Sequence, residues 1–400
     1  MTWSPLRLRV SATAALVVID VVLTFFSAST TRDATALSVA FAIVIITLST
    51  LSVRNIRAAH PVVARAATCL VFVDLLVVAT YFFPSFTNYN LAIGAGMAIV
   101  LLGLSFLTGA SGQISLGNGA FMGVGALAVG IWANHHATTP IALTLLIAVV
   151  CGALVGLLLG LPATHLRGPY LAGMTLAFSV AFIAIVNAFS SWTGGDAGLQ
   201  LPSAVNPPHW LDHFFSSQTT ILTVSSMWLA DISIVVAGIA FFFMANLFSS
   251  RLGRSMRLVR DNEVAAELVG VSLPRARVIA FMVSSAYAAL GGGLWTLTNN
   301  SVSPPTFSLA LSITILSLVV IGGIGTLPGA IIGGIIYAYS TNVITWFTTH
   351  TGINSQGNLS SQLPGIVFGG LLVITMLFAP MGLTGAYRRL ATRIRANKPA

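Results

Sequence analysis

Long, continuously apolar runs alternate along this chain with short polar stretches. About 20 residues of α-helix cross a hydrocarbon core, and about twelve runs of that length are present. They lie near 10–29, 35–53, 66–83, 88–108, 115–133, 140–161, 170–190, 227–248, 277–298, 307–324, 327–347 and 363–381. The runs are unbroken rather than alternating, which predicts helices and not a membrane barrel. The sizeable polar stretches fall at about 191–226, 250–276, 348–362 and after Tyr387.

Charge then orients the helices. With the N-terminus placed in the cytoplasm, Arg7, Arg9, Arg54, Arg57, Arg65 and Arg167 fall inside. Six more arginines, at 251, 254, 257, 260, 275 and 277, share one inner loop, and Arg388, Arg389, Arg393, Arg395 and Lys398 form an inner tail. Of 18 basic residues only Arg32 is left outside. Because basic residues are retained in the cytoplasm during insertion, a wrong span count would have scrambled this order. The expected fold is an all-α integral membrane protein of about 12 transmembrane helices, with the N- and C-termini cytoplasmic.

Composition agrees. Charged residues are 7% of 400, against about 25% in soluble chains. The net charge of +9 follows from topology and needs no nucleic-acid partner. The first run has the basic start and small residues (Ser27, Ala28, Ser29) of a signal peptide. Asp20 within it and the closely following second run favour a retained helix. Cys69 and Cys151 sit inside apolar runs, where neither a disulfide nor a metal site is expected.

Glycine spacing carries two kinds of information. Gly152, Gly156 and Gly160, Gly325, Gly329 and Gly333, and Gly365 and Gly369 repeat every four residues, which bares backbone on one helix face for a close neighbour. Two clusters differ, because they join glycine to polar atoms at the cytoplasmic start of a span: Gly112–Gly125 and Gly322–Gly334. Lying six spans apart, they hint at two related halves, and glycine-interrupted segments in matching positions point to a transport path. The expected path residues are Gln113, Ser115, Gly117, Asn118 and Gly119.

The inner loop from Ser250 to Arg277 contains a stretch, Asp261 to Val269, that reads as a short helix on the membrane surface. Glu263 and Glu267 stand four apart on one face, with Ala265 and Ala266 keeping the profile low. Gly270 suits a helix end and Pro274 a break before the next span. Such a helix can serve as a peg for a cytosolic partner, and its charges alone suit equally a solvated connector held at lipid headgroups.

This loop resembles the coupling loop of ABC-importer permeases, with their Glu-Ala-Ala…Gly pattern, and specifically that of the branched-chain amino acid permease family of the LivM type. Further stretches are similar in the same order: Gly112–Gly117, Arg167–Ala172 with Thr175 and Leu176, Thr193–Leu199, and Gly322–Gly329. The resemblance implies an ABC-importer permease fold over 88–381, with 1–87 as N-terminal extra transmembrane helices and 382–400 as a basic cytoplasmic tail. It implies coupling through Arg260, Asp261, Asn262, Glu263, Ala265, Ala266, Glu267 and Gly270 in the loop 250–276. It also implies two cytosolic ATPase subunits, a second permease subunit, an extracytoplasmic substrate-binding protein that docks near 191–226 and 348–362, and a bacterial plasma (inner) membrane. Branched-chain or related hydrophobic amino acids are the implied cargo, with urea or short amides as the alternative within the family. The family often has His after the Ser-Leu-Gly run, where Asn118 stands here.

The remaining chemistry is sparse. No G-x-x-x-x-G-K-[ST] motif is present and the sole lysine is Lys398, so ATP hydrolysis falls to a partner and no cofactor is expected. His209, Asp212 and His213 lie close in an outer loop, where a solvated polar stretch is expected rather than a metal site. No nucleophile–base arrangement repeats, so no enzyme is expected. Asp20 and Asp74 fall within spans, where acids are costly. A proton relay through them would make the chain a stand-alone secondary transporter, the competing reading.

Overall fold

The computed structural model describes residues 61–80, 83–136, 139–166, 168–201, 221–351, 369–370, 373, 377 and 382–385. The runs near 10–29 and 35–53, most of 363–381, the His209–His213 cluster and Asp20 lie outside these residues. The chain divides into two compact units, one formed by Met1–Asn88 with Pro207–Asn246 and the other by Tyr89–Asn206 with Leu247–Ala400.

Every apolar run predicted between 66 and 347 is helical. The helices are α1 (Pro61–Thr80), α2 (Ser85–Ser111), α3 (Asn118–His135), α4 (Ile141–Ala163), α5 (Pro169–Ala188), the single turn α6 (Ser190–Thr193) and α7 (Ile221–Ser249). They continue with α8 (Arg251–Asp261), α9 (Glu263–Leu268), α10 (Leu273–Asn299), α11 (Leu309–Gly322) and α12 (Leu327–Thr351). Among the described residues, five helices are long and apolar enough to cross a membrane. With its 14 residues, α11 reaches only about 21 Å at 1.5 Å per residue. That is short of a hydrocarbon core of about 30 Å, so the predicted span at 307–324 is not one full-length helix. A 3-10 turn at Pro304–Phe307 precedes it.

In the first unit, α1 and the 221–246 part of α7 run antiparallel. Arg65 donates to the Ala245 carbonyl (3.2 Å) and to Asn246 Oδ1 (3.1 Å), and Val73 packs over Gly238. At the other end the Thr80 hydroxyl donates to Asp231 at 2.7 Å.

The second unit is organised around α10. Its Ala289, Ser285 and Phe281 meet Gly152, Gly156 and Gly160 of α4 in antiparallel register. A Cβ on Gly156 would collide with the Ser285 side chain, so the four-residue glycine spacing seen in the sequence is the seam of this helix pair. On its other sides α10 meets α3, where Gly292 lies on the Met122 backbone, and α2, where Gly291 lies on Gly96. A two-residue antiparallel ribbon pairs Leu199 with Val302 and Gln200 with Ser301. It links the Thr193–Leu199 stretch to the far end of α10, and nothing in the apolar pattern announced it.

Candidate functional site

The chain between α2 and α3 is not helical. Residues 112–117 run as irregular backbone, and Gln113, Ser115, Gly117, Asn118 and Gly119 are all buried. Non-helical backbone inside a membrane protein must find its hydrogen bonds within the protein, and here hydroxyls of two other helices supply them. The Leu116 N–H donates to Thr175 Oγ1 of α5 (2.9 Å), and Ser179 of α5 donates to the Leu116 carbonyl (3.2 Å). Ser312 of α11 accepts from the Gly119 N–H at 2.9 Å and shares a hydrogen bond with Ser179 at 3.1 Å. The Ser115 hydroxyl closes the segment locally by accepting from the Gly117 N–H (3.2 Å). This Thr175–Ser179–Ser312 clamp escaped sequence reading, although Thr175 lies in a stretch singled out for resemblance.

Two side chains at this segment have unused capacity. Gln113 is 7% exposed and Asn118 1% exposed, and among the described residues neither carboxamide has a hydrogen-bond partner at its oxygen or its nitrogen. A buried polar group without a partner costs about 1–3 kcal/mol, so such groups call for a functional reason. Each carboxamide offers both a donor and an acceptor without net charge. The helix begins at Asn118 rather than at the expected 115, because the Ser115–Gly117 stretch is spent on this clamp.

The loop from Ser250 to Arg277 forms two helices before α10, not one. Ser250 caps α8 by accepting from the Gly253 N–H (3.3 Å), and Gly253, Met256 and Val259 turn inward at helical spacing. The predicted helix over Asp261–Val269 is interrupted: Asp261 closes α8, extended Asn262 accepts from the Ala265 N–H (3.0 Å), and α9 starts at Glu263. Asn is a strong N-cap, and its extended backbone starts a new helix axis. At the other end Gly270 takes φ +81° while its N–H donates to the Glu267 carbonyl (2.9 Å) and Val271 N–H to Ala266 (3.0 Å). This is the glycine stop that the sequence predicted.

Side-chain placement corrects part of the expected surface. Ala266 is fully buried against its own chain, and Glu263 is held at 2.5 Å by Arg277, which is itself 7% exposed. Arg277 also donates to the Thr164 carbonyl at the end of α4 (2.9 Å). Glu263 and Ala266 therefore brace α9 from beneath. The outward face is made by Val264, Ala265, Glu267, Leu268 and Val269, with Leu268 85% exposed. Apolar residues dominate it, a feature hidden in a stretch read for its charges.

Arg260 connects the two sets of predicted residues. It pairs with Asp261 at 2.8 Å, and its guanidinium donates to the Gly109 carbonyl near the end of α2. A Cβ on Gly112 would stand 2.6 Å from the Arg260 side chain. Gly109 in turn lies against the backbone of Gly325 in the second glycine-rich cluster. The Ser250–Arg277 loop thus touches the start of the buried break and, through α2, the turn before α12. Asp231, within an apolar run, also escaped sequence reading.

The family described as branched-chain amino acid transport system / permease component matches residues 88–376. The high-affinity branched-chain amino acid transport system permease protein LivM of Escherichia coli (strain K12) is 30% identical over 329 residues, covering 78% of this chain and 74% of its own. Its counterpart LivH of Salmonella typhimurium is 26% identical over 53% of this chain and 64% of its own. The autoinducer 2 import system permease protein LsrC of Enterobacter sp. is 27% identical over 76% of this chain and 83% of its own. No solved structure matches the chain.

Proposed function

The chain belongs to the branched-chain amino acid transport permease family, and on that premise we propose that it is the permease subunit of an ABC importer for branched-chain or related hydrophobic amino acids. It works in a bacterial plasma membrane with two cytosolic ATPases, a second permease subunit and an external binding protein. The observation that supports this most is the Arg260 junction, where one side chain of the cytoplasmic loop holds the Gly109 carbonyl and covers Gly112. A rigid loop displaced by a cytosolic motor moves the entry to the buried break with it. The exposed apolar knob of α9, Val264, Leu268 and Val269, suits a cleft in the ATPase, with Glu267 meeting a donor at its edge. Arg277 and Glu263 keep that knob from folding away from α4 and α10 when it is pushed.

In this reading solute passes beside Gln113 and Asn118. Their carboxamides accept from an ammonium and donate to a carboxylate, so a zwitterion can exchange hydrogen bonds along the path without meeting a fixed charge. Selectivity then resides in the binding protein. The same neutral pair also accommodates short amides, and the relative named for autoinducer 2 import is a precedent for cargo beyond amino acids.

The test is ATP-dependent uptake in proteoliposomes containing the chain, its ATPases, the second permease and the binding protein. Labelled leucine, isoleucine and valine should accumulate with ATP and not with a proton gradient alone. Urea uptake without leucine uptake would move the cargo to the alternative. Uptake by the chain alone, abolished by a protonophore, would replace the importer with the proton-coupled transporter. Leu268→Asp should release the ATPase while the permease still inserts, and retained co-purification with full uptake would remove α9 from the coupling role.

A further inference from the structure

The end of α4 and the beginning of α10 enclose a groove of about 650 Å³ whose lining includes Leu161, Pro162, His165, Arg275, Val278 and Ile279. The groove continues an apolar stripe on α4, where Leu154, Leu158 and Leu161 are all exposed at helical spacing. Its rim is basic: Arg275 and His165 are exposed there. The arginine pattern along the sequence assigns this end of both helices to the cytoplasmic side.

Arg275 differs from most arginines around it. Arg254, Arg257, Arg260 and Arg277 donate to backbone carbonyls of the loop or of neighbouring helices. Arg275 has no hydrogen-bond or ion-pair partner among the described residues. A cation left unpaired among the described residues, above an apolar trough that opens along an exposed apolar stripe, matches a molecule with an anionic head and a hydrocarbon tail. We propose that this groove binds an anionic phospholipid of the inner leaflet, its phosphate on Arg275 and His165 and an acyl chain along Leu161, Leu158 and Leu154. A second copy of this chain fits less well, because it would bring the same basic edge to the rim. The site is independent of the transported solute. It is linked to α9, because the Thr164 carbonyl, between Pro162 and His165, accepts from Arg277, the residue that braces Glu263.

The experiment uses the full chain in vesicles containing a diazirine-tailed phosphatidylglycerol or the matching phosphatidylcholine, with cross-linked peptides mapped by mass spectrometry. Peptides carrying Leu158–His165 and Arg275–Ile279 should label about fivefold more with phosphatidylglycerol, the factor one basic residue contributes at an anionic surface. Arg275→Gln should bring that ratio near one with protein abundance unchanged. Arg251→Gln, which alters another exposed arginine without a described partner, should leave it intact. Val278→Trp, which fills the trough, should reduce labelling by both lipids. Equal labelling by the two lipids, or a preference that survives Arg275→Gln, overturns the proposal. So does a cysteine at Leu158 that cross-links to the second permease in the assembled transporter while lipid labelling is absent, since the groove is then a subunit interface.

Discussion

The two glycine-rich breaks, before α3 and before α12, look alike in sequence and are built oppositely. At 112–119 the backbone is held by borrowed hydroxyls, and two buried carboxamides stay unpaired. At 322–329 backbone meets backbone: Gly325 lies on Gly109, Gly382 on Gly323, and Gly322 on Gly329. Every polar side chain named at that turn is also engaged. Gly325 N–H donates to Ser105 (3.0 Å), Thr384 donates to the Gly322 carbonyl (2.9 Å), and Thr326 pairs with Thr384 (3.1 Å). The first break keeps hydrogen-bonding capacity open, as the proposed path requires. The second uses all of it, as a joint between helices must. Glycine content alone therefore does not distinguish the two breaks; the pairing of the polar atoms beside it does.

The largest effect should come from overfilling the joint. Gly325 has φ +73°, and a Cβ there would stand 3.2 Å from the Gly109 Cα, tighter than an ordinary contact. Gly325→Leu adds left-handed strain of about 1–3 kcal/mol to overpacking of about 1–3 kcal/mol. Membrane abundance and thermal stability in detergent should both collapse. A variant of normal stability would mean that the two breaks do not differ in tightness.

At the first break the outcome should be reversed in kind. Asn118→Leu removes a buried amide that has no partner, so folding should be unharmed or improved. Uptake should fall by roughly tenfold, the equivalent of about 1.4 kcal/mol, with Gln113→Leu acting in the same direction. Uptake and abundance measured in the same membranes decide the matter. Equal losses in both would make the carboxamides structural, and normal uptake would take them out of the path.

Arg260→Gln tests whether the cytoplasmic loop acts on both breaks. It removes a charge-assisted bond to Gly109, worth about 1.5–3 kcal/mol, from a side chain that is partly exposed, so solvent screening places the stability loss at or below the lower bound. ATP hydrolysis by the assembled transporter should continue while uptake drops several-fold. Tight coupling retained in this variant would show that the junction carries no motion.

What the sequence disclosed about these regions follows from the range of the forces involved. Helix existence was legible because apolar run length is local, and so was the glycine stop at Gly270. The seam of Gly152, Gly156 and Gly160 was legible because it depends on one helix's spacing. Most hidden features depend on a partner distant in the chain, the Asn262 cap that splits the loop helix being a local exception. Ser312 meets Gly119 across 193 residues, Glu263 is claimed by Arg277, and Ala266 faces inward because α9 rests on its own chain. The unequal roles of the two glycine clusters belong to the same class, since Gly109 and Gly382 lie outside the motif they complete.

The smallest effect is expected at the joint's polar edge. Thr384 is 7% exposed, and its hydroxyl both donates to Gly322 and pairs with Thr326. Thr384→Val keeps the branched shape and removes those bonds. The Thr326 hydroxyl retains its bond to the Gly323 carbonyl (2.8 Å), so only the Gly322 carbonyl loses its side-chain donor. The net cost should be about 1 kcal/mol, read as a small drop in thermal midpoint with uptake per molecule unchanged. A joint must hold its backbones together without touching solute, and only this pairing of slight instability with full transport is compatible with that role. If uptake instead falls while stability holds, Thr384 contacts the moving solute. The second break would then share the role proposed for the first.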